Sequence, residues 1–204
     1  MLQLFPTSIH LKNLTRGNLQ KFNASLLEDC RQVQRTDIAW QKWSKKNYYG
    51  GFTSYASMNQ LHLFSNTFGQ LKRNLDLHVA EFVKNLDFDL PKNSLKLSTI
   101  WLNIMPPGVT HSMHIHPLSV ISGTYYVQTP HDCSVLKFED PRLQFMMGSP
   151  PKKKSARPEN KNFYSLSPKS GQVVLFESWL RHEVPANPSK AERISISFNY
   201  DWFR

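Results

Sequence analysis

The amino-acid sequence predicts a mainly β protein, an antiparallel sandwich or jelly roll with helices packed on its outside. Three observations carry this expectation. Apolar residues recur at helical spacing in two runs ahead of Pro91, short apolar runs separated by turns follow from Leu95 onward, and the last of these runs alternates strictly between polar and apolar residues.

Taken in order, Leu2 to Leu14 has β character interrupted by Pro6, which suits an edge strand because proline lacks the amide a central ladder needs. From about Gly17 the pattern changes. Leu19, Phe22, Leu26 and Cys30 follow a helical repeat, as do Phe68, Leu71, Leu75, Val79, Phe82 and Leu86, the second run preceded by the potential caps Ser65, Asn66 and Thr67. Both stripes are expected to face the core. Between them, Trp40 to Tyr55 is dense in aromatic and polar residues and reads as an irregular loop, either folded over a binding site or anchored to the core. Strand-like segments then run through Leu95–Met105, the stretch after His114, Ser134–Phe138, Gly171–Phe176 and Arg193–Tyr200, with His182 in a loop between the last two. No internal repeat interrupts this order, so the chain is expected to form one domain over residues 1–204, with supporting strand and helices in 1–93 and a jelly-roll core in 94–204.

Composition narrows the class. The chain is 40% apolar, contains no run near the ~18 residues a membrane span requires, and lacks a charged-then-apolar leader pattern. Its two cysteines, Cys30 and Cys133, form no C-x-x-C pair and no disulfide framework, which fits a reducing compartment and points to the cytoplasm. The net charge of +10 would suit an anionic partner, yet its only dense run is Lys152-Lys153-Lys154 within a proline-rich stretch. A solvated loop explains that run better than a nucleic-acid contact does.

The chemistry concentrates at His114-Ile115-His116. Residues two apart on extended backbone project to the same side, so both imidazoles can reach one ion, and His182 can close the set from elsewhere in the fold. His111 reads as a surface group or an alternative ligand, while His10, His62, His78 and His131 lack comparable context and are assigned structural or solvent-exposed roles. Alternation in the last strand puts Arg193, Ser195, Ser197 and Asn199 on one face and Ile194, Ile196, Phe198 and Tyr200 on the other. With helices outside, the apolar face meets them and the polar face lines the interior, where an arginine beside a serine is suited to a carboxylate.

The region from about Trp101 to Tyr200 resembles the Fe(II)/2-oxoglutarate-dependent oxygenases, and His114-Ile115-His116-Pro117 with Ile121-Ser-Gly-Thr-Tyr-Tyr126 is similar to a bacterial and phage branch of that superfamily. The resemblance implies a double-stranded β-helix, cupin-like core. It also implies Fe(II), with 2-oxoglutarate and O2 as co-substrates, and oxidative decarboxylation coupled to oxidation of an unidentified small molecule, usually its hydroxylation. Carried over residue by residue, His114 is the first metal ligand, His182 the distal ligand, Arg193 the residue for the far carboxylate of 2-oxoglutarate and Ser195 its hydroxyl partner. Asn103, Tyr125 and Tyr126 are candidates to line the cavity, although Tyr125 and Tyr126 alternate and cannot both point inward. His116 departs from the family, standing where Asp or Glu is usual, so the site has three histidines unless Glu177 or Asp140 joins the metal.

Other readings stay open at this point. A three-histidine, cupin-like enzyme could bind its substrate directly on the metal without 2-oxoglutarate, and zinc on three histidines could hydrolyse, though that leaves Arg193 unexplained. A basic binding module with a structural metal is the reading from a different class. A homodimer is the default expectation for assembly.

Overall fold

The computed structural model describes residues 2, 4–14, 18–48, 50–91 and 94–203, so Gly17 and Tyr49 lie outside the described residues. Both expected helices form. Helix α1, Leu19–Thr36, begins where the Asn18 side chain accepts from the Lys21 amide, and buries Leu26, Cys30 and Val33 one or two turns apart. A second, unexpected helix follows at once. Asp37 ends α1 and caps α2, Ile38–Asn47, by accepting from the Trp40 amide, so the first part of the expected Trp40–Tyr55 loop is helical. The sequence hides this helix because it is short and mostly polar, burying only Ser44, while Trp40 and Trp43 stack on each other at 4.8 Å one turn apart. Helix α3, Asn66–Asn85, is capped by Ser65 as expected and buries Phe68, Leu71, Leu75, Val79 and Phe82 along one stripe.

The strands are β1 (His10–Asn13), β2 (Phe52–Thr53), β3 (Leu95–Met105), β4 (His111–His114), β5 (Ile121–Gln128), β6 (Leu136–Glu139), β7 (Phe163–Leu166), β8 (Gln172–Glu177), β9 (His182–Val184) and β10 (Arg193–Trp202). They pair antiparallel into two sheets, one ordered β1-β8-β5-β10-β3-β2 and one ordered β4-β9-β6-β7. The expected N-terminal strand is confined to His10–Asn13 and does lie at a sheet edge. Ladder pairing also moves two features of the sequence reading. His182 sits on β9 rather than in a loop, and His116 lies just past the end of β4, separated from β5 by a turn in which Leu118 adopts a positive φ of 70°.

Side-chain alternation gives the larger sheet two different faces. Ile100, Leu102 and Ile104 of β3, Ile121, Tyr125 and Val127 of β5, Val173 and Leu175 of β8, and Ile194, Ile196, Phe198 and Tyr200 of β10 join the stripes of α1 and α3 in one apolar core. Opposite them, Met105, Tyr126, Val174 and Phe176 meet Leu136, Phe138, Leu166 and Val184 of the smaller sheet in a second core. One close approach dictates a residue in the first core. A Cβ at Gly123 would come within 2.6 Å of the Phe198 ring and the Val174 carbonyl, so glycine alone lets β5 pack there. The second core is incomplete at one end, where polar side chains replace apolar ones.

Candidate metal centre and co-substrate pocket

Register, more than sequence proximity, assembles the histidines. His114 on β4 stands directly across the ladder from His182 on β9, and His182 in turn faces Phe138 on β6. His116 is delivered from beyond β4 by its amide, which donates to the Ser178 carbonyl at 3.0 Å. Its ring lies parallel to that of His182, within 2°, with the two Nε2 atoms 3.3 Å apart. One ligand atom from each of His114, His116 and His182 lies within 4.8 Å of those of the other two.

The tautomers suit a cation. A backbone carbonyl only accepts, so His182 Nδ1 donates to the Leu180 carbonyl at 2.9 Å and His114 Nδ1 to the Ser112 carbonyl at 2.6 Å, each leaving its Nε2 lone pair free. Burial, with the neighbouring His114, holds the His116 and His182 imidazoles down at about 3, and burial lowers His114 as well. All three are therefore neutral near pH 7, the state in which imidazole binds a metal. Neither proposed carboxylate joins them. Glu177 follows Phe176, which lines the cleft, and so points to the opposite face of β8, while Asp140 accepts two bonds from the Arg142 guanidinium at 3.0 and 2.9 Å. Among the described residues the donor set is three imidazoles.

Deeper in the same cleft lies Arg193, only 2% exposed. Its Nη1 donates to Ser195 Oγ at 3.2 Å and approaches Met105 Sδ at 3.4 Å, its guanidinium carbon sits 5.0 Å from the Tyr126 ring centre, and its Nε has no partner. No carboxylate among the described residues is within ion-pair distance of it. A buried guanidinium without a counter-ion is costly, and an anionic ligand in the cleft relieves that cost. Asn103 is paired in register with Ser195; it donates to Ser197 Oγ at 3.1 Å and leaves its own Oδ1 unpartnered, aligned with the arginine along one polar wall.

The structure thus brings His114, His116, His182, Arg193, Ser195 and Asn103 together. It removes Tyr125. That side chain is on the helix side of β5, with its hydroxyl donating to Asn23 Oδ1 and its ring against Phe22, so the period-two alternation sends Tyr126 inward instead. His111 proves to be neither surface group nor member of the triad. Its ring stacks on His114 at 4.4 Å, and burial, then His114 and Arg193, lower it to about 4. Trp101, Met105, Thr124 and Phe176 complete the walls. Trp101 and Met105 share the parity of Asn103 on β3, so the same alternation carried them in the sequence. The Trp40–Tyr55 segment packs against residues of the cleft: the partly buried Tyr48 lies edge-on to His111 at 5.9 Å, burial of its hydroxyl pushing that group up to about 12, and Tyr55 packs edge-on to Trp101 at 4.9 Å.

Residues 99–199 match the family described as "Putative 2OG-Fe(II) oxygenase". No curated protein sequence matches the chain. Among solved structures, a prolyl-4-hydroxylase from Pseudomonas putida is similar over 97% of this chain and 94% of its own, with 14% identity and a TM-score of 0.60. The alpha-ketoglutarate-dependent epimerase SnoN of nogalamycin biosynthesis aligns over 97% of this chain and 79% of its own, with 13% identity and a TM-score of 0.63. HygX from Streptomyces hygroscopicus, solved with nickel and 2-oxoglutarate bound, aligns over 96% of this chain and 83% of its own, with 15% identity and a TM-score of 0.61. At such identities these likenesses establish the fold, a double-stranded β-helix. The family match runs from within β3 to within β10, so residues 99–199 belong to the 2OG-Fe(II) oxygenases, enzymes of Fe(II), 2-oxoglutarate and O2.

Proposed function

We propose that His114, His116 and His182 hold Fe(II) and that Arg193, with Ser195, binds the far carboxylate of 2-oxoglutarate, in an enzyme that oxidises a C–H bond of a small molecule. When bound, the iron supplies the redox centre at which O2 reacts and 2-oxoglutarate is oxidatively decarboxylated. The buried, unpaired Arg193 carries the reading, because it supplies a fixed positive charge at the closed end of a cleft whose open end holds three neutral imidazoles. A dicarboxylate spanning that cleft satisfies both ends. Arg193 then fixes its orientation bidentately, Ser195 adds a hydroxyl donor, and Asn103 offers its free Oδ1 to a bound water or hydroxyl. Trp101, beside His116, and Phe176, beside His182, keep bulk water from the reacting end.

Three neutral ligands leave the ferrous site one unit more positive than a site with two histidines and a carboxylate, which strengthens its hold on an anionic chelator. The test is an anaerobic Fe(II) titration with and without 2-oxoglutarate, watching for the weak visible charge-transfer band of a keto acid chelated to ferrous iron. The band is expected in the wild type and absent from His116→Ala and His182→Ala. Iron binding without a band would transfer the anion site to a substrate chelated directly, and a chain that takes up no iron would overturn the proposal. We assign the protein to a reducing cytoplasm, supported by its unpaired Cys30 and Cys133, and expect a homodimer. Among the described residues no helix is long and apolar enough to cross a membrane.

A further inference from the structure

A second group of ligating side chains stands on the helix-covered side of the larger sheet. His10 opens the edge strand β1, whereas His78 and Glu81 are three residues apart on α3 and so share one helical face. His78 Nε2 donates to the Leu14 carbonyl at 2.9 Å, which leaves the lone pair on Nδ1, and that atom lies 3.0 Å from His10 Nε2. One ligand atom from each of His10, His78 and Glu81 lies within 4.8 Å of those of the other two. Glu81 also pairs with the Lys12 ammonium, through Oε1. A carboxylate has a second oxygen, and Glu81 is 42% exposed, so the cluster opens to solvent on its carboxylate side.

We propose that His10, His78 and Glu81 form a second divalent-cation site, of the zinc class, that clips strand β1 to helix α3. Two imidazoles and a carboxylate are a usual zinc donor set, with water completing four-coordination. The outer contact is already in place, since the Leu14 carbonyl fixes the His78 tautomer in the manner of a metal-ligating histidine. His10 needs only to shift its proton from Nε2 to Nδ1, and burial together with the neighbouring His78 keeps it neutral, holding it down at about 4. Among the described residues strand β1 pairs with β8 alone, so an ion joining it to α3 ties down one edge of the sheet. The site is independent of the proposed iron ligands, which lie between the two sheets.

The experiment is a Zn2+ titration of the full chain against a chromogenic chelator, repeated with Co2+ to read coordination from its visible spectrum. Wild type should take two equivalents and Glu81→Gln one. The triple variant His114→Ala/His116→Ala/His182→Ala should also take one, with the intense bands of four-coordinate Co2+, and should gain thermal midpoint with Zn2+. Adding Glu81→Gln or His78→Gln to the triple variant should abolish both. A triple variant that binds no Zn2+, or that keeps its equivalent after Glu81→Gln and His78→Gln, would overturn the proposal. Should the triple variant fold poorly, Glu81→Gln on the wild-type background carries the test, because position 81 is half-exposed: a drop from two equivalents to one supports the site, and two retained equivalents overturn it.

Discussion

The two faces of β10 differ as sharply as any two regions of this protein. On one, Ile194, Ile196, Phe198 and Tyr200 pack beneath α1 and α3. On the other, Arg193, Ser195, Ser197 and Asn199 line the interior, with polar atoms left over, Arg193 Nε among them. Apolar burial stabilises the fold, whereas a buried guanidinium without a counter-ion opposes it. Residues that share a strand therefore carry opposite duties, and substitutions on the two faces should separate binding from stability.

The largest effect is expected at Arg193. Arg193→Met keeps the volume and removes the charge, so 2-oxoglutarate affinity should fall by about 2–5 kcal/mol, the usual consequence of truncating a buried charged contact, while the thermal midpoint holds or rises. Calorimetric titration against thermal melting checks both, and an unchanged affinity would remove Arg193 from the site. Ile196→Ala should do the reverse. Emptying a fully buried position on the helix side should cost about 2–5 kcal/mol by denaturant unfolding, with the Fe(II) and 2-oxoglutarate signals intact below the new midpoint.

Acid should weaken the polar side more gradually. His182 is held at about 3 in the folded, metal-free protein against 6.5 when unfolded, so below pH 6.5 the unfolded chain takes up a proton that the fold refuses. Stability then falls with pH, by about 1.4 kcal/mol per unit for such a group, until the lowered value is reached. His111 and His116 act in the same direction. Melting the metal-free protein between pH 7 and pH 5 reads this loss, and His182→Gln should flatten it. The smallest effect belongs to Tyr125→Phe, which removes the hydroxyl bonded to Asn23 at a cost of about 0.5–1.5 kcal/mol and should leave turnover of 2-oxoglutarate unchanged. A fall in turnover would place Tyr125 in the site after all.

Much of this contrast was legible in the chain. The alternation of β10 assigned both of its faces, and the H-x-H spacing with His182 and Arg193 pointed to side chains that gather at one cleft. The same rule stopped short on β5, where alternation showed that only one of Tyr125 and Tyr126 turns inward but not which one. That choice depends on the ladder pairing Tyr126 with Ser195, a contact between residues distant in sequence. Helix α2 escaped the sequence reading for a different reason, because its stability rests on the Asp37 cap and on neighbours rather than on an apolar stripe.

Local periodicity, then, determined the helical stripes of α1 and α3, the faces of β10 and the identity of the candidate ligands, since each of these repeats within a few residues of chain. Tertiary structure alone decided that His114 and His182 stand opposite each other, that neither Glu177 nor Asp140 reaches the triad, that Arg193 has no counter-ion among the described residues, and that His10 meets His78 and Glu81. These depend on register and packing between segments many tens of residues apart. A side chain's own neighbours in sequence carry its type and its face, while the atom it finally touches is set by the long-range ladder.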